Sequence, residues 1–400
     1  MKVIFSLVFG FLLMLNTFSQ EWIQQQTNTN ADLNSIFFAD ANLGWVVGSG
    51  GTILKTTNGG DQWVLKSSGV ANDLHSVFFT DPLTGFAVSY SELLKTTDGG
   101  EHWVIQDTVV NAGLSSVFFI GSDTGFVAGT GRILKTTDNG NTWVKQNGFG
   151  SFGVTSFWAT DPQTLYMGGA DFLTIKSVDG GAHWDVLIPN LSYGEMESIF
   201  FTDHNTGYFA GGGWAQGNTG TYFAKTSDGG ATMTNPLGNI GKWLTCIFFA
   251  DASIGYITTK DGGILKTTDA GEHWSGLASG VSSELRSIFF NDASTGYLAG
   301  KSGIILKTTT GGLDVSRPDA PRRSARLYPN PVNDVLNIEL NSLQQQRTFF
   351  QIYSVSGQLL VRQDTQMNKT VLETATLPEG VYILKIINSQ GTEVFKFDKR

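Results

Sequence analysis

One cysteine stands in 400 residues, so no internal disulfide can form, and the chain must hold its shape by packing and hydrogen bonds. Proline is scarce at nine residues, and charged residues make up only 15%. Apart from Val3–Leu15 there is no long apolar run, and that one is too short for a comfortable membrane span. Arginine is rarer still between positions 21 and 312, where only Arg132 and Arg286 occur among 14 basic and 26 acidic residues. An acidic body of this kind argues against nucleic acid or anionic lipid as the partner. No HExxH or comparable metal spacing occurs, and neither a metal nor a cofactor is expected.

What the chain has in abundance is glycine, 49 residues, and aromatic side chains, 12% of the total. That profile belongs to an all-β protein that turns often. The start, MKVIFSLVFGFLLMLNTFSQ, reads as a secretory signal peptide over 1–20, cleaved near Ser19 or Gln20.

A unit of about 40 residues recurs seven times. Its first strand is headed by Ser35, Ser76, Ser116, Ser156, Ser198, Cys246 and Ser287, at spacings of 41, 40, 40, 42, 48 and 41. Each unit then runs through an Asp/Gly turn, an aromatic strand, ILKTT or its variant, a glycine turn and a strand opening on tryptophan. Four short strands per 40 residues predict a β-propeller blade. The last unit stops at Gly312 without its tryptophan strand, while EWIQQQ supplies one with no blade before it. The expectation is therefore a seven-bladed propeller over 21–312, with its N-terminal strand completing the last blade. A solenoid would need capping units instead.

The glycine turn, KTTDGGEHW at Lys95–Trp103, contains a lysine, a histidine, an aspartate and hydroxyls, but six copies argue for architecture. Asn58, Asp98, Asp138, Asp179, Asp228 and Asp269 are expected to accept backbone N–H groups, with Trp63, Trp103, Trp143, Trp184 and Trp274 as apolar lids. Calcium would need more oxygens than one carboxylate per turn offers. Cys246 is expected to be a small buried stand-in for serine.

These turns resemble the Asp-box, or bacterial neuraminidase repeat, of sialidases, sortilin, some glycosidases and photosystem II assembly factors, and the 40-residue form is most similar to the last. The resemblance covers Glu21–Gly312 and implies a fold more than an activity. A sialidase needs three arginines for its substrate carboxylate, and two are present. Other glycosidases need two carboxylates across a cleft, whereas Glu195 and Glu197 are i, i+2 neighbours, and xyloglucan-cleaving relatives use two facing propellers. The photosynthetic members' arginine-rich face is absent here.

Ligand-binding candidates fall on the face opposite the glycine turns. There a polar ring of Asn34, His75, Ser115, Thr155, Glu197, Thr245 and Arg286 is expected at the channel mouth. Trp214, in a long glycine loop at Gly211–Thr221, is expected to form an aromatic rim with Trp243, Phe152 and Tyr193.

Leu313–Ala325 reads as a linker. Residues 326–400 alternate short strands and turns, enough for a small β-sandwich. YPNP (Tyr328, Pro329, Asn330, Pro331), SGQLL with Gly357, and LPEGVYILKI with Gly380 and Tyr382 closely resemble the type IX secretion C-terminal sorting domain, type A. That resemblance implies the type IX machinery as a partner. It also implies passage through the periplasm of a Gram-negative bacterium to the outer surface or the medium. The sequence thus predicts a monomeric, non-enzymatic binding protein with an unidentified surface glycan or protein as ligand. A secreted glycosidase and a stability factor for a surface complex are the alternatives.

Overall fold

The computed structural model describes residues 22–106, 113–146, 153–188, 193–215, 218–312, 325–328, 332–340, 348–354, 359–365, 369–388 and 391–400. It is all-β apart from two single 3-10 turns, Ser49–Gly51 and Lys301–Gly303, and divides into two compact units, Met1–Leu313 and Asp314–Arg400. Phe152, Pro329, Asn330, Pro331 and Gly357 lie outside the described residues, as do residues 1–21, which include the expected signal peptide over 1–20.

The described residues of the first unit form seven antiparallel sheets, six of four strands and one of three. The first strand of each mixes buried with half-buried or exposed positions, as in Leu33–Phe38, and the second is almost wholly buried, as in Gly44–Gly48. A half-exposed first strand and a fully buried second are what the period-2 pattern of LNSIFF and the apolar run GWVVG dictate. The sheet built from Leu285–Phe290, Gly296–Gly300 and Ile305–Thr308 takes its fourth strand from the other end of the unit: Ile23 pairs with Lys307 and Gln24 with Leu306. Trp22, fully buried, meets the Phe290 ring edge-on at 5.9 Å.

The half-buried aromatics of the seven first strands touch in sequence. Centroids lie 4.8 Å apart for Phe37–Phe78, 5.5 Å for Phe78–Phe118 and 5.1 Å for Phe118–Trp158. The series continues through Trp158–Phe200 at 4.5 Å, Phe200–Phe248 at 5.3 Å and Phe248–Phe289 at 5.7 Å, and Phe289 returns to Phe37 at 5.3 Å. The contacts close on themselves.

The repeat serine explains how neighbouring sheets are sewn together. Ser35 Oγ accepts Val77 N–H (3.3 Å), Ser76 accepts Val117 (3.3 Å), Ser156 accepts Ile199 (2.9 Å) and Ser198 accepts Ile247 (3.1 Å). Ser287 accepts Ile36 (3.1 Å), joining the last sheet to the first. Cys246 takes the serine's place at the sixth junction, where burial raises its thiol pKa and the nearby Ile288 N–H opposes this.

At one end of the sheets lie the glycine turns. In each, a hydroxyl donates to the Asx oxygen and accepts a glycine N–H: Thr96 to Asp98 at 2.8 Å, and Gly100 to Thr96 at 2.9 Å. The Asx oxygen then accepts an N–H four residues on, as Gln62 to Asn58 (3.0 Å), His102 to Asp98 (3.0 Å) and Thr232 to Asp228 (2.8 Å) show. Asp138, Asp179 and Asp269 do the same. Trp63 is buried, and Trp103, Trp143, Trp184 and Trp274 are half-buried over the turns. The lysine of each ILKTT lies over the aromatic ring of its own second strand and reaches the next turn: Lys176 Nζ donates to Gly229 O at 2.8 Å and Lys266 to Gly311 O at 2.7 Å.

The second unit has one three-stranded sheet (Ala325–Tyr328, Val335–Leu340, Lys369–Glu373) and one of four strands, in the order Leu359–Thr365, Thr348–Ser354, Gly380–Asn388, Gly391–Lys399. Leu336, Ile338 and Leu372 of the first share a core with Phe350, Ile352, Leu384 and Phe397 of the second. Tyr382 stacks near Phe397 at 5.6 Å and donates to Pro378 O at 2.7 Å. Tyr328 belongs to the first strand of its sheet, and Gly380 opens the third of the other with φ 154°.

Candidate functional site

The end of the first unit opposite the glycine turns carries two clusters. The first joins the fifth and sixth sheets. Glu197, on the first strand Gly194–Phe201, accepts the Trp243 indole N–H at 2.8 Å and pairs with Lys260 at 3.3 Å. Lys260 Nζ sits 3.4 Å from the Trp243 ring centroid, so one ammonium faces both a carboxylate and a π face. Burial raises the Glu197 pKa, Lys260 opposes this, and Glu195 reinforces it.

Trp243 is only 8% exposed and forms the floor of the cluster, not an open rim. It is seated there by Gly212, where a Cβ would fall 2.5 Å from the indole Cγ. The neighbouring glycines are equally constrained, Gly211 by Glu195 O at 2.1 Å and Gly213 by Tyr193 O at 2.6 Å. The segment expected to be a glycine loop is thus a hairpin of two nine-residue strands, Gly207–Ala215 and Asn218–Thr226, and its glycines allow close backbone approach. Trp214 is a strand residue opposite Thr219, and its side chain lies outside the described atoms.

Tyr193 is 76% exposed and holds φ 64°, a left-handed conformation costly for an aromatic residue; its N–H donates to Asp171 Oδ1 at 3.1 Å. A large exposed ring on a strained backbone is the sort of arrangement found at recognition sites.

The second cluster joins the seventh, first and second sheets. Arg286 donates to Asn34 Oδ1 at 2.6 Å and pairs with Asp32 and Glu284, both at 3.4 Å, while Lys301 meets Glu284 at 2.9 Å. Asn34 donates on to Leu74 O at 2.8 Å. Loss of solvation lowers the His75 pKa, with Arg286 acting the same way and Asp73 against it. The polar ring is therefore mostly engaged within the protein, Arg286 and Asn34 with each other and the rest with neighbouring backbone or side chains. Thr155 donates to Met196 O, Thr245 Oγ1 bonds Thr258 Oγ1 at 2.9 Å, and Ser115 donates to Ala128 O at 3.3 Å.

Glu197, expected in the polar ring, and Trp243, expected in the aromatic rim, are brought together in one cluster. His75 and Arg286 belong to the other cluster. Lys260, Asp32, Glu284 and Lys301 went unrecognised because they occupy turn positions that vary between repeats, and only pairing across sheets gives them meaning. Among the described residues no group of three or more His, Cys, Asp or Glu side chains is placed to hold a metal ion.

Comparison with known proteins gives the same architecture. Residues 326–398 match the secretion system C-terminal sorting domain, and residues 14–78 match the photosynthesis system II assembly factor YCF48. No curated protein matches. A solved structure of YCF48 bound to D1 peptide is 19% identical, covering 72% of this chain and 95% of its own, with a TM-score of 0.60. YCF48 from Cyanidioschyzon merolae gives 19%, 72%, 98% and 0.58. An ancestral GH74 enzyme is 14% identical over 94% of this chain and 63% of its own, at 0.58. At these identities the likeness is one of fold. The chain carries a β-propeller like that of YCF48 ahead of a secretion system C-terminal sorting domain, the mark of a protein exported to the cell surface or beyond.

Proposed function

We propose that the first unit is a closed seven-bladed propeller, the second a β-sandwich read by the type IX machinery, and the whole an exported, non-hydrolytic binding protein. Its recognition surface is the end carrying Tyr193, Trp243, Lys260 and Glu197, and its partner is an extended peptide or protein segment. The observation that carries this reading is the clamp itself. Glu197 is committed to the Trp243 indole and the Lys260 ammonium, and Glu195 lies on the same strand, not across a cleft as an acid and base pair requires. The exposed Tyr193 remains to meet a partner, and the related fold bound to D1 peptide supports a peptide.

The GH74 likeness and the raised Glu197 pKa favour a glycosidase as the second reading. Incubating the full chain with a peptide display library and, in parallel, with β-linked oligosaccharides separates the two. Binding without release of reducing ends is expected, with Tyr193→Ala and Lys260→Ala each weakening selected peptides by about tenfold. Reducing ends whose release is abolished by Glu197→Gln would replace binding with hydrolysis.

A further inference from the structure

The joint between the first unit's two ends holds a recess of about 340 Å³, within the roughly 300–1,000 Å³ range of small-molecule sites. It is lined by Gln24, Gln26, Asn28 and Asn30 on one side and Ser302 and Gly303 on the other. No carboxylate, ammonium or guanidinium is among its lining residues. We propose that this recess binds a neutral saccharide.

The amides are presented in order. Along 24–30 the exposed residues are Gln24, Gln26, Asn28 and Asn30, and the alternate ones are half-buried or buried, so four amides stand open to solvent along the recess. Their side chains make no hydrogen bond among the described residues, whereas the alternate positions are pinned. Gln25 N donates to Ile305 O at 2.8 Å, Thr27 Oγ1 to Gly303 O at 2.8 Å, and Gly303 N to Ala31 O at 2.8 Å. The scaffold is thus fixed while its amides stay free. Each carries a donor pair and an acceptor, the complement of vicinal hydroxyls.

The other repeats show that the architecture does not require these amides. Counting from the tryptophan, the hydroxyl of Thr27 recurs as Ser68 and Ser279, and Ser279 Oγ bonds Gly262 O at 2.5 Å as Thr27 bonds Gly303 O. The four amide positions are instead Leu65, Ser67, Gly69 and Ala71 in one repeat, and Gly276, Ala278, Gly280 and Ser282 in another. Asn28 holds φ 54° where Gly69 and Gly280 hold 77° and 76°. An amide thus sits in a left-handed position that glycine fills elsewhere, and asparagine is among the few residues other than glycine that hold it readily. Charge neutrality selects against sugar acids and phosphates, since no cation faces the recess.

The repeats also supply the test. The full chain carrying Gln26→Ser, Asn28→Gly and Asn30→Ala has the first repeat's residues at three amide positions and should melt with the parent. Glucose, galactose, N-acetylglucosamine and their β-1,4 disaccharides are titrated by calorimetry and saturation-transfer NMR, with glucuronate as the anionic control. Saturable binding of at least one neutral sugar, weakened about tenfold or more in the triple variant, is expected. No saturable binding, undiminished binding in the triple variant, or binding of glucuronate alone would overturn the proposal. Lys260→Ala should leave sugar binding unchanged, so failure here and failure of peptide binding are read separately.

Discussion

The Asp-box aspartates show how much chemistry a single side chain can hold without being catalytic. Thr142, through its backbone N–H and then its hydroxyl, and Thr232, through its hydroxyl and then its N–H, hold the Asp138 and Asp228 carboxyls down at about 2. Because the folded pKa is depressed, their contribution to stability is complete above about pH 4 and is lost as pH falls through about 2. Denaturant midpoints measured from pH 7 to 2 should therefore drop in that window, and less so for Asp138→Asn/Asp228→Asn. These turns could be read from sequence because hydroxyl, Asx, glycine and tryptophan each have a local reason to be there. The serine of the first strand could not, since a small polar residue beside FF says nothing about which N–H it will receive. Ser156→Ala leaves the buried Ile199 N–H unpaired and should cost about 1–3 kcal/mol in chemical unfolding. Cys246→Ser should cost less than about 1 kcal/mol, because the hydroxyl restores what the other junctions use.

At the level of elements, the order of strands followed from the 40-residue period, and their limits from turn chemistry. The fifth sheet is where that reading loses accuracy. Met233 replaces the tryptophan there, and only the bridge Lys225↔Thr234 marks the expected fourth strand, because Asn235-Pro236 cannot continue a ladder. The same sheet compensates with its long hairpin, legible only once close contacts are known, since Gly211–Gly213 looks like flexible chain. Gly212→Ala puts a methyl group into the indole of Trp243. It should lower the melting temperature and displace Trp243, seen as a shift in its fluorescence, whereas Gly276→Ala, whose added carbon meets nothing within 4 Å, should disturb Trp243 little.

For the whole molecule, the informative feature was the mismatch of the two ends, a tryptophan strand without a sheet and a sheet without its tryptophan strand. The two side-chain clusters were harder to see, because Arg286 and Asp32, or Lys260 and Glu197, meet only when distant repeats become neighbours. A chain lacking residues 315–400 should accumulate in the periplasm, while the full chain reaches the surface or medium, as fractionation and surface proteolysis would show. Thr27 and Gly303, bonded across the joint, stand 276 positions apart. The first unit therefore cannot close until its last strand, Ile305–Thr308, is available, and a chain interrupted before that point keeps one flank of its sheets open and is the easier prey for degradation.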